Sequence, residues 1–295
     1  MTISSHSVEP RQASPPRRVP PPGACDAHAH IFGPPDRFPP GRGASYDPPP
    51  APYESYCCML DSVGSSRGML VQPAAYLSDH RAIQDACKRS GGRVRGIGLA
   101  SSDISDGELA DLRASGILGL RFVEVADPKG GGRFQGSIGF DELFKLAPRM
   151  KALGMQAHLW ADCARLVADA PALKKLGIPL VADHMGRPNI AAGVSAPEFQ
   201  EFLAHVEDGS FWVKLALCRA STQFPDYPDA RPFHDAFVAG CPDRLVWGSD
   251  WPHIRLGNQA PDVGHLLDLF DDWVAGDETL RAKVLVDNPA NLFRF

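Results

Sequence analysis

The fold turns on the stretch Ala24-Cys25-Asp26-Ala27-His28-Ala29-His30-Ile31-Phe32-Gly33-Pro34-Pro35. Residues 24–32 read as the first strand of the folded part, and the residues just after them decide the kind of sheet. An open, doubly wound sheet needs a glycine-rich phosphate loop after its first strand. Here the chain runs on as His30-Ile31-Phe32-Gly33-Pro34-Pro35, with no such loop. Downstream, strand-like runs at 67–72, 94–100, 117–123, 155–160, 179–183, 211–216 and 244–248 alternate with helical patterns at 54–63, 79–89, 106–114, 141–153, 162–176, 197–206 and 232–238. Two closing helices are expected at 262–274 and 278–286. Strand–helix alternation implies parallel strands with right-handed crossovers. Eight such units make an α/β protein of the closed (β/α)8 TIM-barrel type, expected as a single domain over 23–295.

Composition narrows the class. The chain has 295 residues and 44% hydrophobic content, enough for a large core. Residues 1–22 are rich in Ser, Pro and Arg without apolar periodicity and read as a flexible proline-rich tail. A net charge of −5, with Arg17-Arg18 the main basic cluster, argues against a nucleic-acid partner. The seven cysteines are scattered and form no C-x-x-C pair, which fits a reducing, cytoplasmic setting. No apolar run approaches the ~20 residues that cross a bilayer, and the N-terminus carries no signal-like apolar stretch, so no membrane partner is expected. The proline-rich segment 34–52 is too long for a plain connector.

Side chains alternate along a strand, so His28 and His30 share one face. A lone H-x-H is commonly a solvated or core pair. Two further patches change that reading: Asp183-His184-Met185-Gly186-Arg187-Pro188 and Trp247-Gly248-Ser249-Asp250-Trp251-Pro252-His253. In a barrel, catalytic groups gather at the C-terminal strand ends. That rim would receive His28 and His30 (first strand), Arg121 (fourth), His158 (fifth), His184 with Arg187 (sixth), Lys214 with Arg219 (seventh) and Asp250 (eighth). Asp250 suits a general base acting on water. His28, His30 and His184 could polarise a carbonyl oxygen, and Arg121, Arg187 and Arg219 could pair with substrate carboxylates. His28, His30, His158 and Asp250 also form a three-nitrogen, one-oxygen set suited to a single Zn²⁺.

The H-x-H, the later histidine and the terminal aspartate resemble the amidohydrolase superfamily. Longer segments resemble one group within it, the 2-pyrone-4,6-dicarboxylate lactonases: PPPGACDAHAHIFGP (20–34), RFP (37–39), GLRFV (119–123), DHMGRP (183–188) and VWGSDWPH (246–253), together with Asp287-Asn288-Pro289-Ala290. The resemblance implies a hydrolase that opens a carboxylated lactone, a small-molecule partner. It implies that Asp250 activates water, that His28, His30 and His184 contact the attacked carbonyl, and that Tyr46, Arg121 and Arg187 hold acid groups. It also implies no obligatory metal. The chain departs from the pattern at His158, where a tyrosine is usual. Val125-Ala126-Asp127-Pro128 stands where a further arginine is usual, and Arg219 matches only approximately. His158 therefore joins the expected substrate contacts, and the alternative is a zinc-dependent amidohydrolase or decarboxylase. The fourth strand reads Leu120-Arg121-Phe122 and offers no lysine for a carbamate bridge between two metals. A monomer and a homo-oligomer fit the sequence equally.

Overall fold

Eight strands pair in chain order and all in parallel: β1 (Cys25–Ala29), β2 (Arg67–Val71), β3 (Val94–Gly98), β4 (Ile117–Val123), β5 (Gln156–Trp160), β6 (Leu180–Ala182), β7 (Phe211–Leu215) and β8 (Leu245–Trp247). The computed structural model describes residues 9–295 apart from 43, 45, 127–129, 131 and 135. The segment after β8 closes the ring onto β1, through Asp250 N–H to His28 O (2.8 Å) and His30 N–H to Trp251 O (2.7 Å). The helices between strands are α1 (Tyr53–Val63), α2 (Arg81–Arg89), α3 (Asp106–Ala114), α4 (Phe140–Ala152), α5 (Cys163–Leu173), α6 (Pro197–Glu207) and α7 (Arg231–Gly240). Then come α8 (Val263–Trp273), α9 (Glu278–Ala282) and α10 (Asn288–Phe293). The (β/α)8 barrel is thus the fold.

The core has two parts, as alternation requires. Outward-facing strand residues such as Leu70, Leu120, Phe122 and Val213 pack under the helices. Inward-facing Met69, Val71, Ile97, Val181 and Val246 fill the barrel together with Leu292 and Phe293. Those last two come from α10, which the sequence periodicity misses. Gln156, at the start of β5, hydrogen-bonds the Leu292 carbonyl, so α10 plugs the N-terminal end of the barrel. The opposite end is left for the site. Between β4 and β5 the backbones approach so closely that a β-carbon at Gly119 would collide with the Gln156 carbonyl.

The expected loose tail reads differently in its described part. Residues 9–22 lie along α8, with Ala13, Pro16 and Pro20 buried. Ser14 N–H donates to Asp262 Oδ1 (3.0 Å), and the Arg17 N–H to Asp268 Oδ1 (2.7 Å). Proline-rich composition hides this because the segment is held by backbone and side-chain hydrogen bonds, which have no periodic signature.

Candidate active site

Beta-strand alternation alone does not explain how β1 serves the site. Asp26 points outward, where it accepts from Ser249 N (2.8 Å), Ser249 Oγ (2.7 Å) and Tyr56 OH (3.3 Å). Strict alternation would send His28 and His30 the same way. A bulge between Asp26 and Ala29 adds one residue to β1 against β2. Ala27 and His28 then both face inward, Ala29 faces the helices, and His30 faces inward again. A bulge of this kind re-aims a side chain, and here it turns both imidazoles into the barrel mouth. Burial pushes the Asp26 carboxyl up to about 6, against its hydrogen bonds from Ser249 and His28.

Asp250 follows β8 in the left-handed backbone region (φ 62°), as does His184 after β6 (φ 52°). Non-glycine residues rarely stay there unless their surroundings hold them, and such positions cluster at functional sites. Asp250 Oδ1 lies 3.6 Å from His28 Nε2 and 3.5 Å from His30 Nε2. The two nitrogens are 3.3 Å apart. Its other oxygen, Oδ2, receives Arg219 Nε–H at 2.7 Å. Burial would raise the Asp250 carboxyl, but the Arg219 charge, the largest opposing influence, holds it well below the usual carboxylate range.

A second carboxylate, Asp183, organises the neighbouring cations. Its Oδ2 accepts from Arg121 Nε (2.8 Å), and its Oδ1 is 3.0 Å from Lys214 Nζ. Lys214 Nζ is also 3.1 Å from His28 Nδ1. All four groups are fully or nearly fully buried. Burial, helped by the Lys214 charge, lowers His28 well below the ordinary histidine range. Burial likewise holds His184 down to about 3, although Asp250 and Asp183 pull the other way. His184 Nε2 is 3.5 Å from Arg121 Nη2, and its Nδ1 has no hydrogen-bond partner.

Most of the expected residues converge. His28, His30, His184, Arg121, Arg219 and Asp250 form one cluster. Tyr46 joins its edge: it packs on Phe32 and is close enough to Arg121 and Arg219 to feel their charge. Arg187 stands at the rim, paired with Asp162 (3.2 Å). His158 is the exception. It lies mid-strand, its Nε2 is 3.2 Å from Gln156 Oε1, and its ring stacks on Phe293 at 6.3 Å. That is the layer beneath the mouth. Trp160, two residues on and on the same face, ends β5 instead. Its ring lies under both Arg121 (4.6 Å) and Arg187 (6.0 Å). The sequence reading missed Trp160 and Asp183; continued alternation along β5, and the DH pair opening 183–188, were the available signals.

The three atoms His28 Nε2, His30 Nε2 and Asp250 Oδ1 have the spacing of zinc ligands, about 3.3 Å apart for bonds of about 2.0–2.1 Å. The hydrogen bonds behind them do not match. A ligating imidazole donates its far N–H to an acceptor. His30 does so, from Nδ1 to Val71 O at 2.7 Å. His28 Nδ1 instead meets the Lys214 ammonium, which can only donate. An imidazole that accepts at Nδ1 carries its proton on Nε2, where a metal would need a lone pair. As arranged, the set does not fit a resident zinc. His158 joins neither this group nor the second possible one among the described residues, His28 with Asp183 and His184.

Comparison with known proteins gives the family. The amidohydrolase family model matches residues 25–295. The chain belongs to the amidohydrolase family. It is 36% identical over 283 residues to a 2-pyrone-4,6-dicarboxylate hydrolase of Comamonas testosteroni, covering 92% of this chain and 90% of that one. A 4-sulfomuconolactone hydrolase of Hydrogenophaga intermedia is 32% identical, with 95% and 91% covered. Among solved structures, a probable 2-pyrone-4,6-dicarboxylic acid hydrolase of Acinetobacter baumannii with bound citric acid superposes with a TM-score of 0.79 at 26% identity, covering 92% of this chain and all of that one. No helix among the described residues of this amidohydrolase is long and apolar enough to cross a membrane.

Proposed function

We propose that this amidohydrolase opens the ring of a small lactone that carries one or more carboxylates. The reading rests chiefly on Asp250, whose Oδ2 is tied to Arg219 at 2.7 Å while Oδ1 faces two imidazole nitrogens. Such a carboxylate has one oxygen committed to orientation and one free for proton transfer. Relatives named for lactone hydrolysis support the reaction class. Arg121 and Arg187, gathered by Trp160, can hold acid groups, since guanidinium pairs with carboxylate through two parallel hydrogen bonds. Tyr46 lines the same side.

The chemistry derives from the donors and acceptors. His30, with its Nδ1–H on Val71 O, offers a lone pair at Nε2. Asp250 Oδ1 is a second acceptor beside it. A water that gives one hydrogen to each has its oxygen free to attack. As that oxygen bonds to the lactone carbonyl carbon, its proton passes to Asp250 Oδ1. The charge developing on the carbonyl oxygen is met by N–H groups of His28 and His184, a preorganised oxyanion site. Collapse of the tetrahedral intermediate breaks the ring C–O bond. Asp250 returns its proton to the departing oxygen and is restored as a carboxylate.

The test is a panel of carboxylated lactones assayed for ring opening, with and without chelator. Ring opening of at least one, undiminished by chelator, is expected. A zinc-dependent amidohydrolase or decarboxylase is the second reading, because of the spacing of His28, His30 and Asp250. It predicts stoichiometric zinc in the purified protein and loss of activity on its removal.

A further inference from the structure

The buried Lys214 has no role in the steps above, yet it is placed behind one of their participants. Its ammonium is fully buried and has two neighbours within reach, Asp183 Oδ1 (3.0 Å) and His28 Nδ1 (3.1 Å). An ammonium offers three hydrogens and no lone pair. At 3.1 Å, a proton on His28 Nδ1 would set two donors against each other. The contact is favourable only if Nδ1 accepts. Before substrate enters, a single chain of hydrogen bonds accounts for every nitrogen: Lys214 Nζ to His28 Nδ1, His28 Nε2 to His30 Nε2 (3.3 Å), and His30 Nδ1 to Val71 O (2.7 Å); a substrate carbonyl that takes the His28 hydrogen frees the His30 lone pair for water. With the other tautomer, three lone pairs (His28 Nε2, His30 Nε2 and Asp250 Oδ1) would converge with no proton among them, an arrangement that calls for a cation.

We propose that Lys214 is a positioning residue that fixes His28 as the Nε2–H tautomer, so that a proton fills the place a metal would take and His28 becomes an oxyanion donor. The inference deepens the lactonase reading and rests on it for the donor role alone. The tautomer and its consequence for metal binding are independent of any substrate. Asp183 supplies the alternative. Its Oδ1 is 3.4 Å from His28 Nδ1, so without the ammonium the imidazole can donate to that carboxylate, as ligating histidines do. Lys214→Met keeps the length of the side chain and removes the charge. It should convert a site that resists zinc into one that binds it.

Two measurements test this on the full chain. Long-range ¹⁵N–¹H spectra of ¹⁵N-histidine-labelled wild type, with His28 assigned by its loss in His28→Gln, should show Nε2 protonated and Nδ1 bare. Calorimetric titration of chelator-treated protein with zinc sulfate should show binding to Lys214→Met at least tenfold tighter than to wild type. The gain should vanish in Lys214→Met with Asp183→Asn, which cannot accept as a carboxylate. On an accepted lactone, Lys214→Met should lower kcat with KM little changed. Protonated Nδ1 in the wild type overturns the proposal, as does equal zinc affinity of wild type and Lys214→Met. If Lys214→Met fails to fold, the wild-type spectrum decides alone. A bare Nδ1 together with no turnover of any lactone would retain the tautomer and sink the lactonase reading instead.

Discussion

Arg219 Nε lies 2.7 Å from Asp250 Oδ2, and this contact decides which carboxylate oxygen faces the imidazoles. The same guanidinium donates from Nη2 to Ile254 O at 2.8 Å, so it is fixed at two points. Asp250→Asn keeps the shape and removes the base. Ring opening should fall by about 10² to 10⁴, the usual weight of positioned proton transfer. Steady-state kinetics on an accepted lactone, with far-UV circular dichroism to confirm folding, checks this. A loss below about tenfold, roughly 1.4 kcal/mol of barrier, would remove Asp250 from the general-base role.

Removal of Arg219 makes a separate prediction. Burial alone raises the Asp250 carboxyl, and the Arg219 charge is the leading opposing influence. In Arg219→Gln the carboxyl therefore titrates at higher pH. A protonated Asp250 cannot accept from water, so activity is lost as pH falls through this value. The acid limb of kcat/KM should move to higher pH by about one pH unit or more, an effect typical of losing an adjacent opposite charge. An unmoved limb would mean that Arg219 holds substrate rather than tuning Asp250.

Much of the site was legible because the barrel imposes it. Alternating runs place eight strand ends at one mouth, and His28, His30, Arg121, His184 and Asp250 all arrive there. What was illegible depends on local breaks of period. The bulge between Asp26 and Ala29 reverses which face the histidines occupy, and no residue in that run announces it. On β5 the expected end at residue 160 is correct, but His158, two residues before it on the same face, stood in for Trp160 at the mouth. Asp183 opens a patch that was read for His184 and Arg187, and its part in aligning Lys214 and Arg121 shows only once β4, β6 and β7 stand side by side. Backbone hydrogen bonds hold residues 9–22 against α8, and composition cannot report those.

Stability should fall on mild acidification. Burial keeps His253 near 4 and His184 near 3, despite the nearby Asp250 charge. Their folded values lie below the unfolded value of about 6.5, so the unfolded chain binds more protons in between. Their contribution is complete above that value and is lost as pH drops toward the folded ones. Asp26 opposes with the reverse slope, since its carboxyl is raised to about 6. Two histidines with larger displacements outweigh it. Calorimetric melting temperatures should decline steadily from pH 7 to pH 4.5. His253→Gln should flatten part of that slope, and a variant as steep as wild type would show that His253 does not carry it.

The strap along α8 should carry stability without touching the chemistry. Asp262 caps α8 by accepting from Gly264 N (2.9 Å), and the same oxygen accepts from Ser14 N (3.0 Å). Ser14 O lies so close to Gly264 that a β-carbon there would collide with it. Gly264→Ala should therefore displace the strap and cost about 1–3 kcal/mol, the range for overpacking a fitted contact. The surface ion pairs of Arg17 with Asp268 and Asp272 are screened by solvent, so they cannot hold a strap whose backbone seat is lost. Removal of residues 1–22 should lower the melting temperature by at least as much as Gly264→Ala, while kcat stays within about twofold in both, because the polar contacts of the described strap residues go to α8 and its C-terminal flank and not to the site. Unchanged melting on truncation would mean that α8 packs equally well without its cover. A further loss when Gly264→Ala is added to the truncated chain would place the cost in the helix itself.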